Sequence, residues 1–317
     1  MKTLINTFVL FGLIFSMNVV GDVTVGGNGD VWNWQGGFYY QTSPTQWTAS
    51  DSGYIGRLNT SGTATLIVDN NGTEKSVTSA SVTVGAGSGT TGALIVSGSG
   101  ASYSAVDGWM VISDGGSGTL TVQNGAIVSS SSSTAIGYNN TGIATIDNGT
   151  LNVGGYLFLN RYNNSDNSVL NIQNGGSVTT DGDLSIWYNT ATVNIEGGYL
   201  AAASVNTPNY DDPDSSVTIN IGESGMFALG NVGAETMSAF TSRFVGTGNV
   251  TLNIWHDGDY VNYTSLTEGV DYAVTYGTGD LAGYGVVSPI PEPAAFGLFI
   301  IVSAVGLFIR RRISYFA

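Results

Sequence analysis

The stretch Leu170-Asn171-Ile172-Gln173-Asn174-Gly175 alternates apolar and polar residues and then ends in a turn signal. Such alternation is typical of a β-strand with one buried face, and Asn-Gly tolerates the positive φ angles of tight turns. The same pattern recurs at 66–68, 94–96, 120–125, 144–149, 193–197, 219–222 and 252–254. The chain therefore contains a repeated unit of strand and turn.

The spacing of these copies indicates the architecture. From Val68 to Ile254, successive apolar anchors are separated by 28, 26, 24, 26, 23, 26 and 33 residues. A period of this length is typical of solenoid proteins, and each period holds two further strand-like pieces that can close a coil. We therefore predict an all-β fold, a parallel β-helix or β-solenoid of about eight coils with caps. An antiparallel β-sandwich or an array of hairpins explains the strands less well, because neither needs a repeated coil length.

Alternation also predicts which side chains face the interior. Leu170 and Ile172 would enter the core, whereas Asn171 and Gln173 would face outward. Equivalent outward positions form a column of Thr121, Thr145, Asn171, Asn194, Asn220 and Asn253. Such a polar ladder can hydrogen bond along the stack, but solvent-facing residues selected for solubility explain the same column, and we prefer that simpler interpretation.

Composition and charge limit the classes of function. Among 317 residues there are 46 glycines and no cysteine, which excludes disulfides, thiolate metal sites and thiol nucleophiles. The net charge is −15, and residues 22–288 hold 22 acidic residues against Arg57, Lys75, Arg161 and Arg243. A surface this acidic repels nucleic acid. We expect no nucleic-acid partner and no cofactor, while neutral glycans and divalent cations remain open.

The N-terminus has the pattern of an export signal. Residues 1–21 combine Lys2, a mostly apolar stretch and a cleavage region of small and medium residues, which predicts a helical signal peptide. An uncleaved membrane anchor is the alternative, and it would export the chain as well.

The C-terminus combines a short motif, an uncharged span and a basic cluster. Pro291, Glu292 and Pro293 precede the span 294–309, and the chain continues with Arg310, Arg311 and Arg312. The span has sixteen residues, which as a helix rise about 24 Å and, with snorkelling arginines, suit a single transmembrane helix. The arginines would stay cytoplasmic and the preceding residues would lie outside.

The order Pro-Glu-Pro, apolar span and arginine cluster resembles the PEP-CTERM sorting signal of Gram-negative bacteria. The resemblance implies processing by an exosortase-type enzyme, transient insertion of the tail in the inner membrane, and then a cell-surface or extracellular location. It also implies an exopolysaccharide or biofilm context. The repeats resemble the β-solenoid passenger domains of autotransporters. The predicted function is an exported structural protein of the surface or matrix, not an enzyme; the alternative is a polysaccharide-binding or polysaccharide-degrading, pectate-lyase-like β-helix.

These features divide the chain into five segments. They are a signal peptide (1–21), an N-terminal cap (22–60), solenoid repeats (61–257) with a short helical insert near 234–244, a closing segment (258–288) and the sorting tail (289–317).

Aromatic residues in the N-terminal cap are candidates for glycan binding. Trp32 and Trp34 alternate on one face, and Tyr39 and Tyr40 lie near them in the chain. Aromatic platforms can stack on sugar rings, but the same side chains bury large areas when they pack a cap. We prefer cap packing and keep the four residues as candidate glycan contacts.

Few residues carry the reagents of an enzyme. Arg161 is the only basic residue of the central repeats, and Asp181 and Asp183 follow one period later, which would suit a lyase or hydrolase if they shared a groove. A simple ion pair of Arg161 is the preferred interpretation. The single histidine, His256, supports neither a metal site nor a catalytic triad.

An acidic loop is the one candidate metal site. Asp211, Asp212 and Asp214 supply hard oxygen ligands that suit Ca²⁺. The EF-hand spacing and the Gly-rich calcium nonapeptide are both missing, so a solvated loop is preferred and no metal is predicted.

Overall fold

In the computed structural model of the chain, the described residues are 23–26, 40–43, 46–48, 53–57, 63–69, 75–162, 164–165, 167–208, 215–230 and 235–291. They form an all-β parallel β-solenoid of about six turns, which confirms the predicted fold class. The predicted signal helix (1–21) and transmembrane helix (294–309) lie outside these residues. Among the described residues, no helix combines the length and the apolar character that a membrane crossing requires.

Three stacks of strands make up the solenoid. Face 1 contains β5 (Thr63–Asp69), β8 (Thr91–Ser97), β11 (Ser117–Gln123), β14 (Gly142–Asp147), β17 (Ser168–Gln173), the first parts of β20 (Thr190–Ala202) and β22 (Ser216–Gly230), and β24 (Asn249–His256). Face 2 contains β3 (Gln46–Thr48), β6 (Lys75–Ser79), β9 (Ala101–Ala105), β12 (Ile127–Ser130), β15 (Thr150–Val153), β18 (Gly176–Thr180) and the second parts of β20 and β22. Face 3 contains β4 (Gly53–Arg57), β7 (Val82–Ala86), β10 (Met110–Asp114), β13 (Thr134–Ile136), β16 (Leu157–Leu159), β19 (Leu184–Ile186), β21 (Val205–Thr207) and β23 (Phe244–Gly246).

Further elements lie at the two ends. At the N-terminal end, β1 (Val23–Gly26) pairs antiparallel with β5, and β2 (Tyr40–Ser43) pairs antiparallel with β3. Towards the C-terminus there are one α-helix, α1 (Met237–Thr241), the strands β25 (Asp259–Asn262), β26 (Tyr272–Tyr276) and β27 (Tyr284–Pro289), and the 3-10 turns Tyr263–Ser265 and Gly279–Leu281.

Strands of one face pair in parallel with the apolar anchors directly above one another. Val122 lies between Val96 and Ile146, and Ile146 in turn pairs with Ile172. These anchors are fully buried and belong to one continuous hydrophobic core. The repeated coil length therefore places each aliphatic side chain on its counterpart in the next coil, which excludes the sandwich and the hairpin array.

Asparagine and glycine form the corners between face 1 and face 2. Asn124 and Gly125 have φ angles of 58° and 80°, and Asn174 and Gly175 have 54° and 84°. Two successive positive φ angles reverse the chain direction within two residues, and few other residue types tolerate them. These two Asn-Gly pairs thus end β11 and β17 at the position where the coil must turn.

The outward column of face 1 is a hydrogen-bonded ladder, so solubility alone does not explain it. The Nδ2 of Asn194 donates to Oδ1 of Asn171 at 2.9 Å, and Asn220 donates in the same way to Asn194 at 2.9 Å. Asn253 continues the series by donating to Asn220 at 2.9 Å. Thr145 pairs in register below Asn171. The amides thus connect four successive coils from the outside.

The prediction of about eight coils was too high. That number came from the apolar anchors, of which there is one in each face-1 strand. The last two face-1 strands do not begin complete, uninterrupted coils. After β22 the coil is interrupted by α1, and β24 turns back to pair antiparallel with β25 through Asn253 and Asn262. About six uninterrupted turns remain.

The C-terminal segment covers the open end of the stack. Strand β27 pairs antiparallel with the second part of β22, with Val287 beside Phe227, and β26 pairs with β27. Helix α1 buries Met237 and Phe240, and the rings of Phe240 and Phe227 lie 5.5 Å apart. The Glu268 carboxylate accepts a hydrogen bond from the Met237 backbone N–H at 3.1 Å. These contacts cover an edge that would otherwise expose unpaired backbone groups.

Candidate functional site

Most of the predicted site residues lie outside the described part of the chain. This applies to Trp32, Trp34, Tyr39, Asp211, Asp212, Asp214, Glu292, Pro293, Arg310, Arg311 and Arg312. Tyr40 lies in the backbone of β2, but its side chain is outside the description, and Pro291 is exposed at the last described position. The glycan, calcium and sorting assignments therefore remain predictions.

The structure separates Arg161 from the two acids that sequence reasoning placed near it. Asp183 directly precedes β19 and pairs with the start of β16, whereas Arg161 follows the end of β16. Along the strand direction, the positions of Asp183 and Arg161 are five residues apart, which corresponds to about 16 Å. The Asp183 carboxylate instead accepts hydrogen bonds from Ser204 at 2.6 Å and Asn206 at 3.4 Å.

Asp181 lies at another corner of the coil, on an open groove of about 470 Å³ beside face 2. Ser129, Asn152 and Thr179 line this groove with it. The disfavoured alternative, a base and two acids in one groove, is therefore not what the structure shows. No described carboxylate lies within 4.0 Å of the Arg161 guanidinium, so none of the described acids forms the expected ion pair.

Arg161 is instead the centre of an aromatic cluster on the outer side of face 3. Its anchor is Phe158, the middle residue of β16, whose neighbours Leu157 and Leu159 point into the core and are fully buried. Phe158 points outward and yet is only 4% exposed. The side chains around it, called here the Arg161 cluster together with Phe158, are Trp109, Tyr138, Tyr156, Arg161, Tyr162 and Trp187.

The cluster spans several coils. Trp109 precedes β10, and its ring stacks on Phe158 at 5.4 Å with an interplanar angle of 10°. On the coil between them, the fully buried Ala135 pairs in register with Phe158 in the outward column. We infer that this small side chain leaves the room in which the two rings meet. Trp187 follows β19 and contacts the other side of Phe158, edge to face at 5.6 Å.

Two tyrosines of the cluster, Tyr138 and Tyr162, contact each other. The rings of Tyr138 and Tyr162 lie 4.8 Å apart, and the Tyr138 hydroxyl donates to the Tyr162 hydroxyl at 3.4 Å. The pKa of Tyr138 is raised to about 12, chiefly by this hydrogen bond and secondly by partial burial. The Tyr138 hydroxyl therefore stays protonated at neutral pH and keeps its hydrogen bond to Tyr162.

The Arg161 guanidinium lies against three rings. Its Cζ is 3.3 Å from the ring centroid of Trp187, 4.9 Å from that of Tyr162 and 5.1 Å from that of Phe158. The indole N–H of Trp187 donates to Ser185 Oγ at 2.9 Å, which fixes the ring under the cation. The Nε of Arg161 is buried and has no hydrogen-bond partner. A stacked guanidinium of this kind keeps its charge and offers planar donors to an anion.

Sequence reasoning identified Arg161 but missed the aromatic members of the cluster. The distance of 24 residues between Tyr138 and Tyr162 is one repeat period, and this was the available signal. No such periodic signal pointed to Trp109, because it precedes a face-3 strand. The other residues, Tyr138, Tyr162 and Trp187, each follow one.

The described residues contain no group of three or more acidic or histidine side chains that could hold a metal ion. His256 lies 3.5 Å from Asp257 and 3.8 Å from Asp271, near the β24–β25 turn.

No protein-family model, no curated protein sequence and no solved structure matches this chain.

Proposed function

We propose that the chain is an exported structural protein of the cell surface or extracellular matrix, sorted through its C-terminal tail by an exosortase-type enzyme. The observation that carries the proposal is the continuity of the stack. One hydrophobic core runs from Leu66 to Ile254, and eight face-1 strands span about 34 Å. Such a body serves a role in which shape and surface matter more than a reactive centre.

The two ends of the sequence support the export part of this proposal. Residues 1–21 have the signal-peptide pattern, and the motif Pro291-Glu292-Pro293 is followed by the apolar span and the arginines. An acidic, cysteine-free solenoid would leave the cell as a precursor held briefly in the inner membrane. Processing near the motif would then release or attach it.

The test is the mass of the mature protein in a Gram-negative host with an exosortase. We expect loss of about the first 21 residues and a C-terminus close to the motif, with the protein outside the inner membrane. Pro293→Ala should leave the full tail in place and the protein in the membrane fraction. The matched control is Pro289→Ala, just upstream of the motif. An intact tail on the exported wild type, or equal processing of both variants, would exclude the sorting role.

Polysaccharide binding is the second candidate function, and the Arg161 cluster favours it. Partly exposed rings beside a cation suit a charged sugar polymer better than they suit a role in shape alone. Polysaccharide cleavage has less support, because the acids closest to Arg161 in sequence, Asp181 and Asp183, lie at other positions of the coil.

A further inference from the structure

We propose that the Arg161 cluster binds the carboxylate groups of an acidic polysaccharide of the uronic-acid class. The inference rests on the second candidate function, polysaccharide binding, and places that binding on the outer side of face 3 instead of at Trp32 and Trp34. It further specifies the chemistry of the ligand, a polyanion that the local positive charge of Arg161 would hold although the surface as a whole is acidic.

Arg161 is a cation on a surface rich in carboxylates. Residues 22–288 contain 22 acidic and four basic residues, so an arginine on this surface has many carboxylates available to it. Nevertheless the guanidinium of Arg161 has no described carboxylate within 4.0 Å. The acids of face 3 have other partners, since Asp114 accepts from Asn139 at 3.0 Å and Asp183 accepts from Ser204. Within the described part of this acidic chain, Arg161 is therefore a cation without a carboxylate partner.

The same side chain has unused hydrogen-bonding capacity. A guanidinium has five N–H donors, and stacking on Trp187 uses its plane while leaving its edge available. The Nε is buried, so a ligand would meet the two terminal Nη groups. A carboxylate bound to these groups in bidentate geometry would neutralise the charge.

The Arg161 cluster has the shape of an open row of rings. The cluster extends from Trp109 before β10 to Trp187 after β19, three strand spacings or about 14 Å. Tyr156 flanks Phe158 at 5.7 Å and is 49% exposed, and Trp109, Tyr162 and Trp187 are partly exposed. An open row of rings accepts an extended chain, whereas a small anion would be held in an enclosed pocket.

A purely structural role is the competing explanation. In that case the rings and Arg161 only cover the outward column of face 3, and the cation–π contacts stabilise packing. The two explanations differ in what they predict for binding, for its dependence on the carboxylate, and for the Arg161 variants.

The experiment measures binding of purified full-length protein to polygalacturonate and to its methyl-esterified form by isothermal titration calorimetry. The two polymers share a backbone and differ in carboxylate charge. We expect the acid to bind and the ester to bind at least tenfold more weakly. Arg161→Gln should weaken binding of the acid by about 10- to 100-fold. The control is Arg243→Gln, which removes the same charge from an arginine outside the cluster that donates to the Ala203 carbonyl oxygen at 3.2 Å; its binding should stay within about twofold of the wild type.

A second variant keeps the test valid if Arg161→Gln fails to fold. Arg161→Lys retains the charge but lacks the planar fork, so it should fold, as thermal melting would show, and bind the acid about tenfold more weakly. Equal binding by wild type and both Arg161 variants would overturn the site while leaving polysaccharide binding in place elsewhere. Absence of binding to either polymer would overturn the site and the second candidate function together. Equal binding of acid and ester would overturn the carboxylate specificity.

Discussion

Replacing Asn194 by valine tests whether the asparagine ladder stabilises the solenoid. Asn194 is an internal member, which donates to Asn171 and accepts from Asn220, both at 2.9 Å. Asn253 is the last member, and its only ladder bond is the one it donates to Asn220. Asn194→Val therefore removes two hydrogen bonds, and Asn253→Val removes one.

Each such bond contributes about 1 kcal/mol net, so the losses are about 2 kcal/mol for Asn194→Val and about 1 kcal/mol for Asn253→Val. Valine also has a higher β-propensity than asparagine, which returns up to about 1 kcal/mol at either position. The absolute change at Asn194 is therefore about 1 kcal/mol of destabilisation, and the change at Asn253 is close to zero. The difference between the two variants isolates one hydrogen bond.

Urea unfolding followed by circular dichroism measures both free energies, with equal m-values as the check that the same surface is exposed. If the column serves solubility alone, both variants should be as stable as the wild type or more stable. Equal free energies of unfolding for the two variants would refute the ladder, because an internal and a terminal amide would then contribute alike.

Two further predictions concern the backbone and a buried hydroxyl. Gly198 has a φ of 110°, and a Cβ there would collide with the Gly176 carbonyl oxygen, so Gly198→Ala should cost about 3 kcal/mol or more in urea unfolding. Gly175→Ala, at a φ of 84° but in open space, should cost only about 1–2 kcal/mol. Burial raises the pKa of the Tyr103 hydroxyl above its ordinary 10.0, an effect that its hydrogen bond with Ser79 partly offsets. The unfolded chain releases this proton near pH ~10 and the folded chain does not, so stability present below that pH should fall above it by up to about 1.4 kcal/mol per pH unit. Tyr103→Phe should flatten that decline between about pH 9 and 11, and an unchanged slope would refute the assignment.

The fold was predictable because its main signal is local and periodic. Leu170 and Ile172 alternate with Asn171 and Gln173, and this pattern returns once per coil. Alternation fixes the inward face of each strand, and the period fixes which strands become neighbours. The observed pairing of Ile146 with Ile172 follows from these two facts alone.

The number of coils was not predictable from the same signal. The strand around Ile254 has the repeat pattern, and its first half does stack on Ile221. Its other edge pairs antiparallel with β25 rather than with a further coil. Alternation describes which face of a strand is buried but not which strand lies at its edge, so the last repeat and the cap look alike in sequence.

The candidate site was only partly predictable, for a geometric reason. Arg161 was visible as an isolated basic residue, but its partners depend on whether a residue precedes or follows its face-3 strand. Asp183 precedes β19 and Trp187 follows β19, and only the latter lies on the level of Arg161. Coil lengths vary by several residues, mostly at the corners. The repeat period alone therefore does not tell whether a residue precedes or follows its face-3 strand.

The three faces of the solenoid have different outward columns, and this difference supports the location of the site. Face 1 is occupied by hydrogen-bonded asparagines, and on face 2 Ser104 bonds Ser129 at 2.9 Å while Thr179 donates to Asn152 at 2.9 Å. These short polar side chains satisfy one another along the stack and leave little unused capacity. On face 3 the outward column around Phe158 is covered by rings, and the guanidinium of Arg161 has no anionic partner among the described residues. A surface whose hydrogen bonds are satisfied internally has little to offer a ligand, whereas a guanidinium that stacks on an aromatic platform and has no described carboxylate beside it can bind an anion, so binding is expected on face 3.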